Sequence, residues 1–96
     1  RLIGVDGALY KTLEFVGSTI KHLSIDDRFS MCNMAIEAGA KSGIVAYDDI
    51  TKAFLDGKNL AREPKIHHSD KDAIYVQTIE IDVANLEPVI AYPFLP

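Results

Sequence analysis

The chain has 96 residues, of which 48% are hydrophobic and 25% charged, and its formal net charge is −4. This length predicts one domain, which buries only about 60–65% of the surface that its unfolded chain exposes. The acidic balance excludes the basic footprint that nucleic acid or an anionic membrane requires. No apolar run approaches the roughly 20 residues of a membrane span, so we expect neither kind of partner.

The single cysteine, Cys32, excludes an internal disulfide and a metal site built from cysteines of this chain alone. A lone thiol is compatible with a reducing compartment, and we expect a cytoplasmic location. The sequence opens at Arg1 without a methionine and ends at Pro96 after an apolar run. We therefore expect residues 1–96 to be a single internal domain fragment of a longer protein.

The first predicted element is a helix that runs from about Ala8 to His22. Asp6 is suited to cap its free amide groups, and Gly17 inside it costs about 1 kcal/mol relative to alanine. The helix is predicted because apolar residues recur at spacings of three and four, which lays one stripe along a helix; they are Leu9, Leu13, Val16, Ile20 and Leu23.

A second helical stretch is predicted to follow Ser24, because Ser24 and Asp27 resemble a capping box with aspartate in place of glutamate. It runs to about Ala40, with Gly39 near its end. Residues 43–47 then favour a short buried strand, and Asp48 caps a third helix over residues 49–55.

The last third of the chain is predicted to hold a loop and two strands. Residues 58–72 carry charges, a proline and two histidines without periodicity, which indicates a surface loop. Residues 73–83 alternate between apolar and polar side chains and predict a strand, and residues 89–92 predict another. Helices first and strands later indicate a layered α/β unit of the three-layer αβα type with a small mixed sheet.

The stretch from Met31 to Ala40 is the candidate for chemistry. Asn33 and Glu37 are four residues apart, so on a helix they share a face about 6 Å apart. Their neighbours are small or apolar, and a poorly solvated carboxylate has a raised pKa, which suits proton transfer. The alternative is a solvent-facing pair on an amphipathic helix, and the spacing alone favours this alternative.

Three other features are interpreted structurally. Cys32 cannot bind an iron–sulfur cluster alone, since a cluster needs three or four thiolates, and a single cysteine on a helix is usually a small hydrophobic residue. His67 and His68 are adjacent in a loop and lack a third ligand, which indicates a surface loop. Residues 4–7 match neither glycine-rich phosphate-binding pattern and are interpreted as a turn.

Several motifs together resemble the second domain of the aconitase superfamily. These are residues 4–8, the Leu-Glu-Phe-x-Gly of residues 13–17, the Leu-Ser-Ile-Asp-Asp-Arg of residues 23–28 and, most specifically, residues 32–40. The last run is similar to the isopropylmalate dehydratase and homoaconitase branch. The resemblance covers almost the whole chain and is weakest over residues 58–68.

The resemblance implies part of a hydro-lyase that isomerises a malate-type acid by dehydration and rehydration. The implied reaction is 2-isopropylmalate to 3-isopropylmalate in leucine biosynthesis, with homoaconitase as the nearest alternative. It also implies catalytic positions at Asn33 and Glu37, with Asn33 near a 4Fe-4S cluster and Glu37 beside the departing hydroxyl.

The same resemblance places the cluster cysteines and the serine base outside this chain, so we expect no cofactor and no turnover in the fragment itself. Implied partners are the remaining domains of the large subunit, a small subunit and a di- or tricarboxylic acid substrate. The fragment is also expected to self-associate. A non-catalytic α/β scaffold or partner-binding module is the alternative of a different class.

Overall fold

The computed structural model describes residues 3–90, 92 and 93. Within them lie two strands and two α-helices: β1 at Thr12–Phe15, α1 at Ile25–Met34, β2 at Ser42–Val45 and α2 at Asp49–Asp56. Short 3-10 turns precede and follow α1, at Ile20–His22 and Ala35–Ala38. The predicted α/β class is confirmed.

The two strands pair in parallel, with Thr12 opposite Ser42 and Phe15 opposite Val45. A parallel pair needs a long crossover connection, and α1 with its flanking turns supplies it. Two details of the prediction are corrected: a strand comes first, and the sheet of the described residues is parallel rather than mixed. The three-layer arrangement stays a prediction.

The helix predicted from Ala8 to His22 is wrong. Residues 5–10 form turns, β1 follows, and Tyr10 (φ 60°) and Gly17 (φ 114°) have left-handed backbone conformations that a helix does not admit. The Asp6 side chain therefore caps no helix; its backbone carbonyl instead accepts a turn hydrogen bond from the Leu9 amide. The apolar spacing was compatible with a helix, but pairing with β2 gives this segment its backbone partners as a strand.

The start of α1 confirms the predicted capping box. The Asp27 amide donates to Ser24 Oγ at 3.2 Å, and the Ser24 amide donates to Asp27 Oδ2 at 3.2 Å. Two of the free amide groups near the helix start are thereby satisfied, which stabilises α1 by about 1 kcal/mol.

Close packing of α1 on the sheet depends on Gly43 in β2. A Cβ atom at this position would lie 2.8 Å from the Cα of Cys32 and 3.0 Å from Cε2 of Phe15. The buried core beside this contact consists of small side chains, with Leu13 and Ala38 packed against it; its members are Ala8, Ala35 and Ala40. Small residues let backbone segments approach closely at the expense of buried apolar area.

The third predicted helix is confirmed as α2, one residue longer than expected. Asp48 is its N-cap and accepts from the Thr51 amide at 3.1 Å, and Gly57 follows its last residue. Phe29 of α1 and Phe54 of α2 meet edge to face, with ring centroids 5.7 Å apart. This aromatic pair joins the two helices.

Beyond α2, the described residues contain no helix and no strand. The predicted irregular loop over residues 58–72 is confirmed, but the predicted strand over residues 73–83 is wrong. Ile74 and Val76 are 97% and 86% exposed there. A strand requires a neighbour for its backbone groups, and the described part of the chain offers none. The strand predicted over residues 89–92 includes Ala91, outside the described residues; the others are not in a strand.

Candidate active site at the end of the first helix

An open cleft of about 360 Å³ lies where α1 ends and β2 begins. Its walls come from the last turn of α1, the following 3-10 turn and the first residues of β2; they are Cys32, Asn33, Ala35, Ile36, Ala40, Lys41, Ser42 and Gly43. The cleft therefore forms around the sequence run that was singled out as the candidate for chemistry. It offers an amide, a hydroxyl and an ammonium group beside an apolar wall.

Asn33 and Glu37 lie near each other in the chain but belong to different elements. Asn33 is in the last turn of α1 and lines the cleft, whereas Glu37 lies in the 3-10 turn and is not among the lining residues. Both side chains are exposed, so the poor solvation expected for the carboxylate is absent. The geometry of this chain alone fits the solvent-facing alternative, and the active-site assignment stays a prediction.

The change from α-helix to 3-10 turn alters the predicted spacing. A 3-10 turn advances about 120° per residue instead of about 100°, so side chains four apart diverge in direction. Gly39 (φ 76°) ends the turn: its amide donates to the Ile36 carbonyl at 2.9 Å and the Ala40 amide donates to the Ala35 carbonyl at 3.2 Å. This pair of bonds is a Schellman motif, which fixes the backbone at the end of the 3-10 turn that contains Glu37.

One of the cleft-lining residues, Lys41, is cationic. The Lys41 ammonium lies over the Tyr10 ring, 5.3 Å from its centroid, and the Lys41 amide donates to the Lys11 carbonyl at 2.8 Å. The side chains of Lys41 and Tyr10 are both exposed, so the ring attraction contributes about 0.5–1 kcal/mol. The Lys41 side chain is thus directed at the Tyr10 ring, which does not line the cleft.

Arg28 of α1, which does not line the cleft, is 2% exposed and forms a bidentate ion pair with Asp48. Its Nη1 and Nη2 donate to Oδ1 and Oδ2 of Asp48, each at 2.7 Å, and Nη2 also donates to the Ile20 carbonyl at 3.0 Å. The hydrogen bond from Arg28 holds the pKa of the Asp48 carboxyl well below its usual range, and the bond from the Thr51 amide acts in the same direction. Reciprocally, the Asp48 carboxylate raises the pKa of Arg28.

The carboxylate of Glu14 in β1 forms hydrogen bonds with the irregular last third of the chain. Its Oε2 accepts from the Tyr75 hydroxyl at 2.6 Å and its Oε1 accepts from the Ser69 hydroxyl at 2.8 Å. The bond from Tyr75, followed by that from Ser69, lowers the pKa of Glu14, because both hydroxyls stabilise the charged form.

No group of three or more His, Cys, Asp or Glu side chains in residues 3–90, 92 and 93 is arranged to hold a metal ion. Cys32 is free and half-buried at the wall of the cleft. His67 and His68 are exposed in the irregular loop, as predicted. A 4Fe-4S cluster needs three or four thiolates, so the described residues do not fit it as a ligand set.

Sequence reasoning missed two features of this region. The Arg28–Asp48 pair was not expected, because the pattern indicated only that Asp48 caps α2. Lys41 and Ser42 at the cleft were also not singled out. Arg28 is the one basic residue of α1, and this is the one signal that pointed to a buried partner, since arginine is rarely buried unless paired.

The profile of the aconitase family (aconitate hydratase) matches residues 1–96. The chain is 84% identical to the 3-isopropylmalate dehydratase large subunit of Sulfurimonas denitrificans, with all of this chain aligned to 23% of that subunit. The large subunits of the same name from Nitratiruptor sp. and Aliarcobacter butzleri are 73% and 71% identical, again over all of this chain and 23% and 24% of theirs.

The chain spans about a quarter of the length of these curated relatives. No helix among its described residues is long and apolar enough to cross a membrane. The family profile covers the same residues that carry the capping box, the cleft and the Schellman motif. Because that profile matches the chain over its full length, the chain belongs to the aconitase family.

Proposed function

We propose that this chain is part of the large subunit of a hydro-lyase that isomerises 2-isopropylmalate to 3-isopropylmalate, a step of leucine biosynthesis. The observation that carries the proposal is the 84% identity, over all 96 residues, to a subunit named 3-isopropylmalate dehydratase large subunit. Because this chain corresponds to about a quarter of such a subunit, the activity belongs to the whole enzyme and the isolated chain is inactive.

The surroundings of the candidate residues support an active site completed by other parts of the enzyme. Met34 and Ile36, which flank Asn33 and Glu37 in the chain, are 62% and 70% exposed. Exposed apolar side chains around polar ones are typical of a surface that another part of a protein covers. Glu37 would then lose its solvation in the assembled enzyme, as a proton-transfer group requires.

In this proposal, Glu37 acts on the departing hydroxyl of the substrate, and Asn33 lies near the cluster. Glu37 transfers a proton to the departing hydroxyl, so that the carbon–oxygen bond breaks and the oxygen leaves as water. The proton on the neighbouring carbon is taken by a base outside this chain. Asn33 would donate a hydrogen bond from its amide near the cluster.

The cofactor and the partners are proposed from the family alone. The whole enzyme uses a 4Fe-4S cluster, held by cysteines outside this chain, since Cys32 is the single thiol here. A small subunit is the proposed partner, because the relatives are named large subunits. We propose the cytoplasm as the compartment, because the lone free thiol suits a reducing environment.

The test is Glu37→Gln in the two-subunit enzyme that contains this chain. Loss of an acid–base group lowers kcat by about 10²–10⁴-fold, and the amide keeps the size of the side chain. Glu63→Gln is the matched control, because Glu63 is an exposed carboxylate in the irregular loop. Near-normal turnover of Glu37→Gln contradicts the assignment, and preference for a homoaconitase substrate over isopropylmalate contradicts the substrate proposal.

A further inference from the structure

Arg28 joins the two ends of the segment that carries the candidate site. Its guanidinium donates to the carbonyl of Ile20, which precedes α1, and to both carboxylate oxygens of Asp48, which follows β2. Asn33 and Glu37 lie between these two anchors in the chain. One buried side chain therefore holds together the entry and the exit of the segment that forms the cleft.

Arg28 does not act on the cleft by contact. Asn33 follows it by five residues on α1, which places their side chains about 140° apart around the helix axis. Arg28 is buried, whereas Asn33 is exposed and lines the cleft. Any influence of the guanidinium on Asn33 must therefore pass through the backbone of the helix.

The pair has the geometry to set the rotation of α1. Two parallel hydrogen bonds of 2.7 Å fix both the distance and the plane of the guanidinium relative to Asp48. Asp48 is itself fixed, because it accepts from the Thr51 amide at 3.1 Å as the N-cap of α2. A rotation of α1 about its axis would break this arrangement at Arg28 and move Asn33 at the same time.

We propose that Arg28 is a positioning residue of the hydro-lyase site: through its pair with Asp48 it fixes the helix that presents Asn33 and the turn that presents Glu37. This inference rests on the proposed function. Lysine keeps the positive charge but provides a single point of attachment in place of the planar fork, so Arg28→Lys removes the orientation and retains the charge.

The first measurement is steady-state kinetics of Arg28→Lys in the two-subunit enzyme, normalised to folded protein. We expect kcat to fall about tenfold or more, with KM changed by less than about threefold, since small displacements of catalytic groups cost that much. Lys52→Met is the matched control: it removes the exposed Lys52–Asp56 pair on α2, and its turnover stays unchanged.

The second measurement separates positioning from general stability by adding Arg28→Lys to a variant that carries both Asn33→Ala and Glu37→Gln. A residue that acts through Asn33 and Glu37 adds little once both are disabled, so the triple variant retains about the turnover of the variant with Asn33→Ala and Glu37→Gln. If Arg28→Lys instead lowers the turnover of that variant by the same factor as in the native enzyme, the inference is overturned. If Glu37→Gln is itself fully active, the proposed function fails independently of Arg28.

The third measurement is amide hydrogen exchange in the large subunit without its cluster, which does not depend on activity. Arg28→Lys should accelerate exchange about tenfold at Gly39 and Ala40, the donors of the Schellman motif, and leave the amides of β1 unchanged. Equal acceleration throughout the subunit indicates a purely structural contribution and overturns the inference, as does unchanged exchange at both sites.

Discussion

Arg28 and Asp48, twenty residues apart in the chain, meet through two hydrogen bonds of 2.7 Å at the junction of α1 and α2. The arginine is almost fully buried, and the side chain of Asp48 is 33% exposed. This pair therefore connects the interior of the fold with its surface. It also makes the stability of the region dependent on one carboxylate.

Acid should weaken the fold through Asp48. Its pKa in the folded protein is depressed below the unfolded value of about 3.9, so its stabilising contribution is fully present above that pH. The contribution is lost progressively as the pH falls below about 4. We expect Asp48→Asn to lower the unfolding temperature of the large subunit at pH 7 and to reduce the loss of stability on acidification.

Thermal unfolding followed by circular dichroism between neutral and acidic pH checks this expectation. The matched control is Asp49→Asn, because Asp49 is exposed in the first turn of the same helix. Parallel pH profiles for the native protein and Asp48→Asn would contradict the assigned contribution of the ion pair.

Gly43→Ala should loosen the packing of α1 on the sheet. The added methyl group would lie 2.8 Å from the Cα of Cys32, and a backbone atom cannot move aside as a flexible side chain does. Overpacking of this kind costs about 1–3 kcal/mol. Chemical denaturation measures the loss. Gly57→Ala is the comparison, because a Cβ atom at Gly57 would meet only the Phe54 carbonyl oxygen, at an ordinary contact distance of 3.7 Å. Equal effects would refute the close-packing explanation.

Ser24→Ala should destabilise α1 by about 1 kcal/mol, because the Asp27 amide loses its acceptor and the capping box is broken. Ser24→Thr should preserve most of the stability, since threonine keeps the hydroxyl that accepts from the Asp27 amide and donates to the Asp27 carboxylate. Denaturant unfolding of the three proteins ranks them, and a neutral Ser24→Ala would show that the cap contributes nothing measurable.

The isolated 96-residue chain should form dimers or larger oligomers. Its last third exposes apolar side chains that no other described residue covers, among them Ile74 at 97% and Val76 at 86%. Exposed apolar surface and unpaired backbone groups both promote association. Sedimentation velocity at increasing concentration detects it. A clean monomer would contradict this prediction, and Ile74→Lys with Val76→Lys should reduce association where it occurs.

Short-range features of the fold were predictable from the sequence. Ser24 and Asp27 satisfy the helix start within four residues, and Gly39 ends the following turn because a left-handed backbone suits glycine. The N-cap role of Asp48 was also predictable, because its side chain satisfies an amide only three residues further along the chain. The site residues Asn33 and Glu37 were proposed from a family motif, but their placement on one helical face failed because the helix tightens after Met34.

What the sequence by itself determined is therefore local: the start of α1, the approximate position of β2 and the limits of α2 to within one residue, each dictated by neighbouring caps, glycines and apolar runs. The tertiary structure alone decided that residues 12–15 form a strand, because their backbone partner lies at residues 42–45, about thirty positions away. It also decided that Arg28 meets Asp48. Such long-range pairings depend on how elements pack. Residues 73–83 illustrate this, because they have the pattern of a strand but no strand to pair with among the described residues.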